Sequence, residues 1–274
     1  MSCLPERIAC LSTETVEVIY ALGEDARITG ISGYTVRPPR ARREKPKVSG
    51  FSTARLERIL DVRPDLVLAF SDLQADICRD LVRAGVEVHH FNQRDVAGIF
   101  GMIATVGRLV GAAERAAAYV AELEAHVTRV RAAAATLPRR PRVYFEEWDA
   151  PQISGVGWVS ELIAIAGGDD VFPELAVQQS AADRTIADPM EVVRRAPDVI
   201  VGSWCGKKFR PETVRARPGW HAVPAVRAGH VYEVKSAIIL TPGPAALTDG
   251  LDALAGIVRA SVESRPECEA SIRN

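Results

Sequence analysis

Two stretches of the chain share one plan, and that plan restricts the fold more than any single residue does. Residues 56–70 read LERILDVRPDLVLAF and residues 190–203 read MEVVRRAPDVIVGS. Each runs from a short helix through Pro-Asp into a four-residue apolar run. Pro64 and Pro197 stop the helices, because proline cannot continue the hydrogen-bond ladder, and Asp65 and Asp198 open the strands. Glu57 and Glu191 take matching places in the two copies, with one residue of slippage before the prolines. One such match is ordinary βα punctuation. Two, each placed alike in its half of the chain, point to two homologous lobes.

The rest of the pattern agrees. Residues 7–11 read as a strand, 14–22 as a helix capped by Ser12 or Thr13 and closed by Gly23, and 27–31 as a strand. A helix over 54–62 precedes a buried strand at 66–70, and a helix over 74–84, ended by Gly85, precedes a strand at 86–90. The second half repeats this with strands at 142–146, 199–202 and 230–234 and helices at 158–166, 190–195 and 245–262. Such alternation predicts an α/β fold with parallel sheets covered by helices. Between the halves, residues 112–137 hold no Gly or Pro and carry an apolar stripe at Ala116, Val120, Leu123, Val127 and Val130. A helix of about 24 residues there spans about 36 Å, a rigid connector ended by Pro138. The expected organisation is an N-terminal lobe over 1–111, a backbone helix over 112–137, and a C-terminal lobe over 138–274.

Composition removes several function classes. The 274 residues carry a net charge of −1, so no global field favours nucleic acid or an anionic membrane. No stretch has the length of a transmembrane helix. The first ten residues hold Pro5, Glu6 and Arg7 and lack the apolar core of a signal peptide. The chain as it stands reads as cytoplasmic, and as periplasmic if the true start lies upstream or was removed. The five cysteines form no CxxC pair, and the five histidines, including the adjacent His89 and His90, show no metal-ligand spacing. No GxGxxG, GxxxxGK[ST] or GxSxG occurs. No catalytic residue, metal site or catalytic cofactor is expected, and a monomer is.

Candidate binding residues lie where strands end, because ligands of open α/β sheets sit beyond the carboxyl ends of the strands. EEWDAP follows the first strand of the second half; Glu146, Glu147 and Asp149 offer carboxylates and Trp148 a flat face, or the segment is a solvated acidic loop. SWCGKKF follows a later strand; Trp204 offers a π face or fills the core, Cys205 a soft ligand or a small hydrophobe, Lys207 and Lys208 anion contacts. In the first half Tyr34, Phe51 and Phe70 form an aromatic series at successive strand ends, with Arg37 beside the first. Trp220 reads as structural.

The segments GISGYTVRPP, SGFSTARLERILDVRPDLVLAF, GWVSELIAIAGGDDVF and RPGWHAVPAVRAGHVYEV, with the PGP-containing terminal helix, resemble the helical-backbone solute-binding proteins of ABC importers. These serve cobalamin, iron-siderophores and haem, and the ERI–PDLVLA and AGG–VF blocks look like the vitamin B12-binding branch. The resemblance implies two Rossmann-like lobes, a rigid interlobe helix, one ligand in the cleft, and no catalytic residues. It implies docking on an ABC permease dimer through Glu57 and Glu191. It also implies ligand contacts at Tyr34, Phe51 and Phe70, although the branch prefers tryptophan at the last two. The expected function is non-enzymatic binding of a corrinoid, cobalamin first. Another metal chelate, a cytoplasmic corrinoid carrier, or an enzyme using Glu146, Glu147 and Asp149 are the alternatives.

Overall fold

The computed structural model describes residues 4–50 and 53–263. The chain divides into two compact units. The first comprises the chain up to Glu124 together with Thr241–Ala245; the second comprises Ala125–Leu240 and the chain from Ala246 onward.

The first unit holds strands β1 (Ile8–Cys10), β2 (Ile28–Ser32), β3 (Lys47–Ser49), β4 (Leu66–Phe70) and β5 (Glu87–Phe91). They pair in the order β3-β2-β1-β4-β5, all parallel, with Ile8 opposite Leu66 and Cys10 opposite Leu68. This is a doubly wound order whose direction of winding reverses between β1 and β4. Every residue of β1 and β4 is buried, which is why both are continuous apolar runs rather than alternating ones. Helices α1 (Thr13–Ala21), α2 (Pro39–Glu44), α3 (Leu56–Asp61), α4 (Ala75–Arg83) and α5 (Val96–Leu109) connect and follow them. The sequence reading passed over α5, whose glycines at 98, 101 and 107 weaken a helical pattern. At Gly107 the glycine is required: a Cβ there would lie 2.2 Å from that of Ala116. Ala116 lies on α6 (Ala113–Ala134), a 22-residue helix of about 33 Å. The division between the units falls within α6. Its stripe is as read, with Ala116, Leu123 and Val127 buried.

The second unit holds β6 (Arg142–Asp149), β7 (Gln152–Ser154), β8 (Asp169–Asp170), β9 (Val199–Gly202) and β10 (Val231–Glu233). The order is β10-β9-β6-β7, with β8 on the first residues of β6. All pairs are parallel except β6–β7. Here the structure departs from the sequence reading, which ended the strand at Glu146 and left EEWDAP as a loop. The strand runs on to Asp149 and folds back on itself, so this sheet is mixed. Its register slips between Glu146 and Trp148, a bulge at Glu147 of the kind that re-aims a side chain. The helices are α7 (Gly157–Ile165), α8 (Pro173–Ala176), α9 (Met190–Arg195), α10 (Pro211–Arg215), α11 (Pro224–Arg227), α12 (Ser236–Ile239) and α13 (Leu251–Glu263). Three of the short ones start on proline, whose fixed φ suits the first helical position. Among the described residues no helix is long and apolar enough to cross a membrane.

The twin Pro-Asp segments build the same clasp in each unit. α3 and α9 each end in a left-handed residue before the proline, Arg63 at φ 45° and Ala196 at φ 43°. Asp65 N–H then donates to Arg7 O at 2.9 Å while Arg7 N–H donates to the Asp65 carboxylate at 3.0 Å. Asp198 N–H donates to Arg142 O and Arg142 N–H returns to the Asp198 carboxylate, both at 2.8 Å. Each aspartate thus fixes the entry of two parallel strands at once, β1 with β4 and β6 with β9. A charge-assisted bond of this kind contributes roughly 1–2 kcal/mol.

Candidate ligand-binding site

In the first unit the reversal point brings the ends of β1 and β4 together. Gln74 ties them: its Oε1 accepts from Phe70 N–H at 3.0 Å and its Nε2 donates to Leu11 O at 3.1 Å. Between Phe70 and Gln74 sits Ser71 at φ 67°, ψ 160°, a region that costs a non-glycine residue on the order of 1–3 kcal/mol and that clusters at ligand clamps. His90 Nε2 lies 2.8 Å from Ser71 O. Phe70 is 5 % exposed, with the Arg94 guanidinium 5.8 Å from its ring centroid. Tyr34, after β2, is 58 % exposed. Phe51 lies outside the described residues. Glu14, in the first turn of α1, is buried beneath Gly243, where a Cβ would come within 2.5 Å of the Glu14 Cβ. Burial pushes its carboxyl up to about 7, against the hydrogen bonds of its own backbone and of Ser12.

In the second unit the end of β6 and the turn after β9 gather the polar groups. Glu146 is fully buried and saturated. Arg217 donates to both its oxygens at 2.5 and 2.9 Å, Tyr144 and Gln152 to Oε2 at 3.0 and 3.3 Å, and the Trp204 indole to Oε1 at 3.0 Å. Burial works against the Arg217 charge, yet the Glu146 bonds outweigh it and hold its pKa above the ordinary value. Tyr144 is pushed well up by burial and then by Glu146. With both oxygens engaged, Glu146 has no lone pair to offer a metal or a substrate proton, contrary to the acid–base alternative. The bulged Glu147 is bidentate to Arg184 at 2.5 and 3.1 Å, and Arg184 also donates to Ser154 O. Asp149 pairs with Lys207.

The structure therefore brings Glu147, Trp148, Trp204 and Cys205 to one edge of one sheet, but on different terms. Trp204 is 4 % exposed and packs edge-on against Phe209 at 4.8 Å. Trp148 is half-buried and Cys205 is exposed. Arg184, Arg217 and Arg94 were not foreseen; ordinary arginines in unpatterned segments carry no periodic or spacing signal. Of the docking candidates, Glu57 is exposed on α3 and has no ion pair among the described residues. Glu191 on α9 is bonded to Arg195 at 2.9 Å and Arg194 at 2.7 Å, which in that order hold its carboxyl below the usual range. Among the described residues no group of three His, Cys, Asp or Glu side chains converges as a metal site.

One further feature is common to both sheets. Ten buried side-chain polar atoms have no hydrogen-bond partner among the described residues, and nine of them lie at the carboxyl edges of the strands. They follow or end β1 (Glu14 Oε1), β2 (Thr35 Oγ1), β3 (Ser49 Oγ), β4 (Ser71 Oγ) and β5 (Gln93 Oε1, Arg94 Nε), and flank β7 and β9 (Gln152 Oε1, Arg184 Nε, Ser203 Oγ). Each such atom costs about 1–3 kcal/mol, and native proteins keep few without a reason.

The sequence profile of the periplasmic binding protein family matches residues 8–238. The chain belongs to that family. It is also similar to two relatives and a solved structure. An uncharacterized ABC transporter substrate-binding lipoprotein of Bacillus subtilis, YvrC, is 25 % identical over 263 residues, covering 92 % of this chain and 79 % of that protein. The cobalamin-binding protein of Halobacterium salinarum is 29 % identical over 204 residues, covering 72 % of this chain and 53 % of that protein. The periplasmic haem-binding protein RhuT from Roseiflexus sp. RS-1, solved in apo form, superposes with a TM-score of 0.79 at 22 % identity, over 92 % of this chain and 99 % of that one. That likeness shows the fold.

Proposed function

We propose that this family member binds a metal chelate without turning it over, as the substrate-binding component of an ABC importer, and that the chelate is a corrinoid, cobalamin first. The observation that carries the reading is the row of unpartnered polar atoms along the carboxyl edge of each sheet. Hydroxyl, amide and guanidinium groups of that kind suit a large ligand with many amide and hydroxyl substituents, such as a corrinoid. Each unit also offers flat surface at its own strand ends: Tyr34 and Phe70, the latter with Arg94 over its ring, in the first, and Trp148 in the second. The cobalamin-binding relative supports the choice of ligand.

Calorimetric titration of the purified protein with cyanocobalamin tests this. Saturable one-to-one heat at micromolar or tighter affinity is expected; silence toward cobalamin, with haemin or a ferric siderophore binding instead, replaces the corrinoid, and silence toward all three removes the reading.

In this role the protein works on the outer side of its permease and docks through Glu57 and Glu191. Glu57 is free to meet a basic partner, whereas Glu191 must exchange Arg194 and Arg195 for one. Glu57→Lys is expected to leave ligand affinity intact and abolish uptake in cells carrying the matching permease. Undiminished uptake refutes the docking role.

A further inference from the structure

Lys207 is held in an unusual way. Its ammonium lies 5.2 Å from the ring centroid of Trp148 and 4.9 Å from that of Trp204. The same nitrogen lies 2.8 and 2.6 Å from the two carboxylate oxygens of Asp149. Two indole faces and a carboxylate around one positive charge make the arrangement by which proteins recognise organic cations.

Host and guest differ in how firmly they are built. Trp204 is buried, bonded through its indole N–H to Glu146 and packed on Phe209. Asp149 and Trp148 lie on β6, in register with Gln152 and Ile153 of β7. Lys207 rides four successive exposed residues, 205–208, that turn at Gly206 with φ 72° and open space around it. Its side chain is 46 % exposed. One wall of the cage, Trp204, is core, the other two stand on a paired strand, and the occupant is a side chain on an exposed turn. The cage also sits on the carboxyl edge of this sheet, beside the unpartnered Gln152, Arg184 and Ser203 atoms.

We propose that Trp148, Trp204 and Asp149 form a recognition site for a small organic ammonium ion, which Lys207 occupies in the free protein and yields on binding. This goes beyond the binding function proposed above and does not rest on it, since the amide and phosphodiester periphery of cobalamin carries no ammonium. It makes Lys207 a competitor for the site, so affinity for an organic cation depends on how readily the 205–208 turn gives way.

The test needs no chelate, so its outcome is independent of the cobalamin titration. Lys207→Ala empties the cage while leaving its walls, and n-butylammonium or tetramethylammonium then serves as the probe, read by indole fluorescence. Saturable quenching is expected in Lys207→Ala at a concentration at least about tenfold lower than in the wild type, since the internal competitor is gone. Adding Asp149→Asn in that background is expected to raise the required concentration by about fivefold or more. Equal responses of wild type and Lys207→Ala, no saturable response in either, or indifference to Asp149→Asn overturns the proposal. Thermal unfolding of both variants, expected to remain cooperative, separates loss of the cage from loss of the fold.

Discussion

Glu146→Ala is expected to destabilise the protein by about 3–5 kcal/mol, the cost of leaving one member of a buried ion pair alone. The carboxylate is 0 % exposed, and the change would strip Arg217, itself only 16 % exposed, of its two charge-assisted bonds. It would also orphan the Tyr144 hydroxyl and the Trp204 indole, which find their acceptor there. Urea denaturation of wild type and Glu146→Ala measures this, and Glu146→Leu, Arg217→Met and Glu146→Leu/Arg217→Met beside the wild type close a double-mutant cycle. The double variant is expected to recover much of the loss, because two apolar side chains have no charge left to desolvate. A single-variant loss under about 1 kcal/mol would mean that Glu146 is not the anchor of this sheet edge.

Glu14 sets the second large effect, and it depends on pH. Its folded-state value, raised from 4.5 to about 7 by burial, means that the fold favours the protonated form. Whatever stability it contributes is fully present below about 4.5, declines as pH rises through the interval, and is gone above about 7. At 1.36 kcal/mol per unit the difference is on the order of 3 kcal/mol. Glu14→Gln, which keeps the shape and removes the titration, is therefore expected to match the wild type near pH 4 and to exceed it by that order at pH 8. Unfolding free energies of the two proteins across that range decide it. Parallel curves would show that the carboxyl is not held neutral.

What the sequence revealed and what it hid follow from the range of the forces involved. β4, β9 and α9 appear at the residues read for them, because a continuous apolar run bounded by Pro-Asp is a local signal. α5 was missed because its glycines serve a contact with Ala116, which lies on another helix. The β6–β7 hairpin was missed because EEWDAP has the composition of a loop; its pairing partners lie beyond the turn. Among site residues, Trp148 and Glu147 sit at the strand end where the topological argument put them. The saturation of Glu146 could not be read, since its partners come from Trp204 and Arg217, 58 and 71 positions away. Trp204 shows the same limit: one residue type serves a core and a ligand face, and only its neighbours decide between them.

The five residues Thr241–Ala245 belong with the first unit although the chain on either side of them belongs to the second. They cover Glu14 and supply the carbonyl of Pro242 to the Gln93 amide at 3.0 Å. The gene therefore has no cut point that separates the halves. A fragment ending at Glu124 would carry a fully wound sheet but an unroofed carboxyl group, and the missing roof would have to be returned by a peptide of those five residues or by circular permutation. Domain-swap chimaeras between members of this family would have to exchange two segments, not one, to move the first half intact.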